Sequence, residues 1–373
     1  MDKTADTPIV LEDYPAFRPS LRIAVVTETW PPEVNGVAVT LAKLVQGLCL
    51  RNHDVQLIRP RQTSIEQASR DPGFEEVLMR GMPIPRYPEL KLGLPSKKNL
   101  IKAWSLRRPD VVHIATEGPL GWMARSVALK RHWPFTTAYH SRFPEYIHAR
   151  FRVPLSWSYA LLRKFHNVAK FTITPTQGIV DDLKMRGFHN PRLWTRGVDS
   201  VVFTPEGATM PRTHSPVFLH VGRLAVEKNV EEFLKLDLPG EKWVAGDGPE
   251  RKRLEAKYPN AKWFGVLDGQ SLASLYRSAD VFVFPSVTDT FGLVMAESMS
   301  CGTPVAAFPV PGPIDVVKNG VSGVLNKDLK QACLDALKMS RPDVIAHAAG
   351  FNWTTATQQF LSALQPIPHS TAQ

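Results

Sequence analysis

The chain has 373 residues, a formal net charge of +10, 43% hydrophobic and 21% charged residues, and three cysteines. That length exceeds one ordinary hydrophobic core and suits two α/β domains facing a cleft, while no apolar run approaches the ~20 residues that cross a bilayer. Cys49, Cys301 and Cys333 are far apart and have no metal-ligand spacing, which excludes a cysteine-rich zinc site and suits a reducing, cytoplasmic compartment.

Residues 1–20 carry acids and prolines where a secretory signal would be basic and apolar, and are expected to be a loosely ordered leader. RIAVVT (22–27) then reads as a buried strand, ETWPPEVNG as a loop and VAVTLAKLVQGLCLRNH as an amphipathic helix. HDVQLIRP, PDVVHIAT, FTTAYHS and KFTITPT are further short β-branched runs with helical stretches between them, as expected of a parallel sheet covered on both faces. RLWTRGVDSVVFTPEGATMPRTHSP breaks the periodicity and reads as a connector. A second series starts at VFLHVGR and continues through KWVAGDGP, KWFGV, DVFVFPS and TPVAAF, again alternating with helices. The expected organisation is an N-terminal Rossmann-like domain over 21–200, a C-terminal one over 201–350, and a last segment, 351–373, whose helix crosses back to the first domain.

Charge is divided unevenly between the halves. Residues 1–195 hold 28 Lys+Arg against 17 Asp+Glu, whereas 196–373 hold 17 against 18. The excess is densest over 86–170, with 16 basic and 4 acidic residues, and such a field attracts an anionic membrane surface or a phosphorylated acceptor. Nothing resembles an RNA- or DNA-binding motif, so nucleic acid is not an expected partner. A Ser/His/Asp triad, a Walker A loop and an HExxH site are all missing.

The densest chemistry lies in PSVTDTFGLVMAESMSCGTPVA (285–306), where a strand ends in a loop and a helix is expected from about Phe291. The free N–H groups of Thr290, Phe291, Gly292 and Leu293 then form an anion site suited to a pyrophosphate. Asp289 and Glu297, two helical turns apart, can face one elongated ligand, or serve as a capping residue and a buried helix acid. In VGRLAVEKNVEEFL (221–234) Arg223 and Lys228 flank a turn after Gly222 and can clamp a diphosphate, or Lys228 can pair with a helix acid. GDGPE (246–250) is a glycine turn suited to close backbone approach and is not a dinucleotide fingerprint. Gly36 sits at a tight strand-to-helix turn and His140 just past a strand, both at the cleft edge of a doubly wound sheet.

Taken in order, TETWPPEVNGVAVTLAKL, YHSRFPEY, TRGVDSVVFTP, FLHVGRLAVEKNVEEFL, VAGDGP, WFGVL, LYRSADVFVFPSVTDTFGLVMAESMSCGTPVA, DVVKNGVSGVL and FNWTTATQQFL resemble the family 4 glycosyltransferases over nearly the whole chain. The resemblance implies a GT-B fold of two doubly wound parallel-sheet domains, a nucleotide-sugar donor (GDP-mannose, a UDP-hexose or UDP-glucuronate) with GDP or UDP released, retention of configuration, and no metal or other cofactor. It implies that Arg223 and Lys228 bind the diphosphate, Asp289 the sugar hydroxyls and Glu297 the ribose. It further implies that Thr290 to Leu293 cradle sugar and phosphate, with Gly36 and His140 facing them, and that Val266 lies in the base-recognition loop. The first acid of the motif is commonly Glu in the family. Asp289 in a TDTFG context matches a subgroup similar to lipid-directed mannosyltransferases and sulfoquinovosyl- or glucuronosyltransferases, which makes a membrane lipid, or else another glycan, the expected acceptor and the inner membrane face the expected location. Leu92, Leu94 and Trp157 are the apolar residues expected to aid docking there.

Overall fold

The computed structural model describes residues 20–368 apart from 34, 64, 85–86, 146–147 and 149–151, so the expected leader lies almost wholly outside the described residues. The N-terminal sheet is built from β1 (Arg22–Val26), β2 (Asp54–Pro60), β3 (Arg70–Asp71), β4 (Phe74–Met79), β7 (Val111–Ile114), β8 (Phe135–Ala138), β9 (Phe171–Thr174) and β10 (Pro191–Leu193). Residues 81–93 form a separate antiparallel pair, β5 (Gly81–Ile84) with β6 (Tyr87–Gly93). Pro83 and Pro88 fall in this pair, and their place outside the main sheet agrees with proline's inability to donate to a central ladder.

The order across the first sheet is β10-β9-β8-β7-β1-β2-β4-β3, parallel except for the β3–β4 pair. The strand β1 therefore has β2 on one side and β7 on the other, and the crevice above the β1/β7 junction is its topological switch point. The second sheet, from β11 (Val217–Val221), β12 (Glu241–Ala245), β13 (Lys262–Gly265), β14 (Val281–Phe284), β15 (Val305–Ala307) and β16 (Gly323–Leu325), is parallel throughout with order β13-β12-β11-β14-β15-β16. Its switch point lies between β11 and β14.

Both central strands are buried nearly end to end, because helices cover each face. Ile23 and Val25 of β1 point into one core with Leu41, Leu44 and Leu48 of the helix Gly36–Cys49, and Ala24 and Val26 into another with Leu120 and Ala124. In the second domain Val217, Leu219 and Val221 pack with Met295 and Met299 of the helix Leu293–Ser300, while Phe218 packs oppositely with Phe233 and Ala332. Alternation on a strand sandwiched by helices places every second residue in each core, hence the continuous apolar runs.

The helix Trp353–Ala363 lies on the N-terminal domain. Phe360 is fully buried in its core, and Trp194 Nε1 donates to the Ala356 carbonyl at 3.0 Å. Gly47 permits this approach, since a Cβ there would lie 2.5 Å from Thr357 Oγ1. The chain crosses between domains at 197–199 and again at 351–353, and these crossings are side by side: Val198 N donates to Phe351 O at 3.0 Å, and Val198 bridges Asn352. The domains also touch away from that point. Asp315 Oδ1 accepts there from Gly178 N at 2.9 Å, while at the crossing itself Lys43 pairs with Asp199 at 2.7 Å.

Candidate functional site

Loops from the two carboxyl ends of β11 and β14 make one wall of the cleft. After β11 the chain turns at Gly222 and passes Arg223, whose Nη2 lies 3.5 Å from Glu227 Oε1, before a 3₁₀ turn over Val226–Lys228. Asn229, in the left-handed region at φ 55°, ends that turn and donates from Nδ2 to Pro285 O at 3.2 Å. Ser286 and Thr288 hydroxyls reach the Glu227 carbonyl, which ties the two loops together. Lys228 Nζ thereby meets Asp289 Oδ1 at 2.5 Å, while Asp289 Oδ2 is buried with no protein partner. The cation and the first acid of the motif, 61 residues apart in sequence, are one ion pair.

The helix begins at Leu293, two residues later than the sequence pattern suggests. Gly292 adopts φ 80° at the cap position, and a Cβ there would lie 2.9 Å from Phe284 Cζ and from Met295 Cε. Only glycine enters the left-handed region at no steric cost, so Gly292 breaks the helical run. No side chain caps this helix, so its first N–H groups lack a side-chain acceptor, and Asp289 stands four residues before its start. Phe291 is buried edge-to-face on Phe351 at 5.7 Å. Thr290 crosses the cleft, donating from Oγ1 to the His140 carbonyl at 2.6 Å. Glu297, half-buried, accepts from Tyr276 Oη at 3.2 Å, and burial pushes its carboxyl up to about 7. Val266 follows β13 and is 62% exposed at the outer edge of this wall.

The glycine turn after β12 lies directly against the backbone of the neighbouring loop. A Cβ on Gly246 would lie 1.9 Å from Gly222 O, and one on Gly248 would lie 2.4 Å from Leu224 O. Its glycines let backbone pack on backbone and so hold the Gly222–Lys228 turn from behind.

The opposite wall comes from the N-terminal switch point. Gly36 is the first residue of its helix; Asn35 caps it, its Oδ1 accepting from Val37 N at 3.1 Å and Ala38 N at 2.9 Å. Asn35 Nδ2 donates to Thr29 Oγ1 at 2.8 Å, and Gln62 Nε2 to Glu33 Oε1 at 2.8 Å, which braces the PEVNG loop. Gly36 directly faces the other domain: a Cβ there would lie 3.8 Å from Leu293 Cδ1. His140, just past β8, has Arg196 Nη2 at 3.1 Å from its Nδ1, while its Nε2 is buried and unpartnered. Burial first, then the Arg196 charge, holds the imidazole pKa well below the usual histidine range.

Sequence reasoning missed two buried groups here. Glu28, just past β1, accepts from Gly93 N and Leu120 N, each at 2.6 Å, and burial raises its pKa to about 7. Arg196 lies inside the TRGVD motif, which was the available signal, yet no role follows from an arginine in a connector. Among the described residues no group of three or more His, Cys, Asp or Glu is arranged to hold a metal ion.

Comparison with known proteins gives this geometry its family. The model of Glycosyltransferase Family 4 matches residues 34–202 and that of Glycosyl transferases group 1 matches 215–339. A GDP-mannose-dependent alpha-mannosyltransferase of Corynebacterium glutamicum is 31% identical over 82% of this chain and 76% of its own length. The chain belongs to the family 4 glycosyltransferases. Sulfoquinovosyl transferase SQD2 of Arabidopsis thaliana is 32% identical over 76% of the chain and 62% of that protein. Alpha-monoglucosyldiacylglycerol synthase of Streptococcus pneumoniae is 25% identical over 88% and 80% respectively. Among solved structures, the sucrose-phosphate synthase of Thermosynechococcus elongatus superposes with a TM-score of 0.75 at 18% identity, covering 92% of this chain and 98% of that one. The glycosyltransferase described here thus has the GT-B fold, with both switch points opening on one cleft.

Proposed function

We propose that this glycosyltransferase moves a hexosyl group from a nucleotide sugar, GDP-mannose or a UDP-sugar, to a hydroxyl of a membrane lipid, with retention of configuration and without a metal ion. The observation that carries the reading is the Lys228–Asp289 ion pair beside the uncapped start of the helix Leu293–Ser300.

In this reading the donor diphosphate sits on the first N–H groups of that helix, with Arg223 and Lys228 neutralising the charge that grows as the glycosidic bond breaks. Lys228 exchanges Asp289 for the phosphate, which frees the short carboxylate to accept from the sugar hydroxyls. Glu297 accepts from the ribose, and His140 meets the sugar from the other domain. Gly36 has protein room for a methyl group, so its lack of a side chain matters for the ligand. The acceptor hydroxyl enters on the face the leaving group departs, by same-face internal return. The names of the GDP-mannose-dependent and diacylglycerol-directed relatives support a lipid acceptor. So does the surface of the basic domain, where Trp157 (73% exposed) and Leu161 (56%) share the outer face of the helix Leu155–His166 with Lys164. Leu94 is also exposed, while Leu92 is half-buried.

The test is titration calorimetry with GDP-mannose, UDP-glucose, UDP-glucuronate, GDP and UDP, followed by proton NMR of the product formed on lipid vesicles. Selective binding of one nucleotide series and an axial product linkage from an axial donor support the proposal. Binding of none, or an inverted product, overturns it.

A further inference from the structure

We propose that Arg196 is a positioning residue that fixes the tautomer of His140, so that its Nε2–H is a standing hydrogen-bond donor to the transferred sugar. The inference deepens the proposed function, since it takes His140 to meet the donor sugar.

The buried environment of Arg196 is unusual for a cation. Its side chain is 4% exposed, and its guanidinium donates to Trp194 O at 2.7 Å, faces His140 Nδ1 at 3.1 Å, and lies over the Trp194 ring at 4.1 Å. No carboxylate lies within ion-pair distance of it among the described residues. A buried arginine normally pairs with an acid, because desolvating a charge costs several kcal/mol; this one spends a donor on an imidazole nitrogen. Guanidinium carries donors only. The Nδ1 facing it must therefore present its lone pair, and in a neutral ring the proton then resides on Nε2. A protonated ring would set two N–H groups and two positive charges against each other.

Three basic groups face His140 from the elements around it: Arg196 in the connector, His113 on β7 and His166 on the helix Leu155–His166. His166 shows the opposite arrangement, with Glu117 Oε1 3.2 Å from its Nε2. A guanidinium that donates toward Nδ1 leaves no place there for an imidazolium proton. From the second domain the only described polar contact to the residue is Thr290, and it reaches the His140 backbone carbonyl, leaving the ring free. The Nε2 atom is buried without a partner. A buried donor without an acceptor costs about 1–3 kcal/mol, and such a group at a ligand cleft is accounted for when the ligand brings the acceptor.

The experiment uses full-length enzyme labelled with ¹⁵N-histidine, His140 being assigned by difference from His140→Gln. In the native enzyme the His140 shifts are expected to show protonated Nε2 and unprotonated Nδ1, unchanged from pH 8 to 5.5. Arg196→Met, which fills the volume without donating, is expected to mix the tautomers, giving His140 shifts with partial protonation of Nδ1, and to lower kcat about 10- to 100-fold, while burial still keeps the ring neutral. Arg196→Lys, a donor-only replacement, is expected to restore the native pattern in part; it also keeps the test open should Arg196→Met fold poorly by circular dichroism. A folded Arg196→Met with native shifts and kcat within twofold overturns the inference alone. Full activity in His140→Gln overturns instead the reading of His140 in the proposed function.

Discussion

Lys228 and Asp289 pair with each other in the structure, and in the proposed function both turn to the donor once it binds. Replacing Lys228 with Ala leaves the buried carboxylate of Asp289 unpaired and, in the proposed function, takes the cation from the leaving group. The expected loss in kcat/KM is about 10²- to 10³-fold, measured under initial-rate conditions, and a loss below threefold would remove Lys228 from the site. Glu297 makes a prediction with a definite sign. Its carboxyl, raised to about 7 by burial, is protonated below that pH and then, in the proposed function, has a proton where the ribose hydroxyl is to donate. Donor affinity should therefore fall as pH drops through 7, by up to roughly tenfold per pH unit, and Glu297→Gln should bind more weakly but with no slope between pH 5.5 and 7. Calorimetry across that range checks both curves. These two acids and the cation were identifiable as candidates in the sequence because Lys228 and Asp289 stand in loops that follow recognisable strands and Glu297 follows Asp289 by two helical turns. Arg196 was not, since its meaning depends on a histidine 56 residues away.

Among the elements, the helix Leu293–Ser300 and the loops beneath it govern the site. Gly292→Ala combines a positive φ with contacts of 2.9 Å to Phe284 and Met295, so it is expected to destabilise the second domain by about 2–3 kcal/mol and to shift the helix start that receives the phosphate. Urea unfolding with and without donor separates these effects: lost stability with intact affinity would mean that the cap shape is immaterial to binding. The sequence pattern set the helix start at Phe291 because phenylalanine fits the apolar period, and Phe291 does pack, but on Phe351 from outside the helix. The GDG turn was likewise identifiable as a place of close approach; which backbone approaches it required the neighbouring strand. The β5–β6 pair was illegible, because its prolines carry loop signals and its partner is only itself.

For the molecule as a whole, charge and apolar exposure fall on the same domain. With the basic excess in the N-terminal half and Trp157 and Leu161 exposed among it, a double replacement, Trp157→Ser with Leu161→Ser, is expected to weaken cosedimentation with anionic vesicles at least fivefold while leaving donor affinity unchanged. Binding by the native enzyme should also fall as salt rises toward 0.5 M, since exposed charges are screened. Equal cosedimentation of variant and native enzyme would discard this helix as the docking face.

By itself the sequence determined two α/β domains, the strands at their centres, the connector near 200 and the candidate residues at the strand ends. It could do so because burial on both faces writes continuous apolar runs, and helix caps and turns are local. Tertiary structure alone decided which ends meet: the pairing of Lys228 with Asp289, the glycine turn set against Gly222, Arg196 behind His140, and Thr290 reaching across to the other domain. Each is a contact between residues 24 to 150 positions apart in the chain, and side-chain chemistry constrains such partners only after the sheets have brought their carboxyl ends to one cleft.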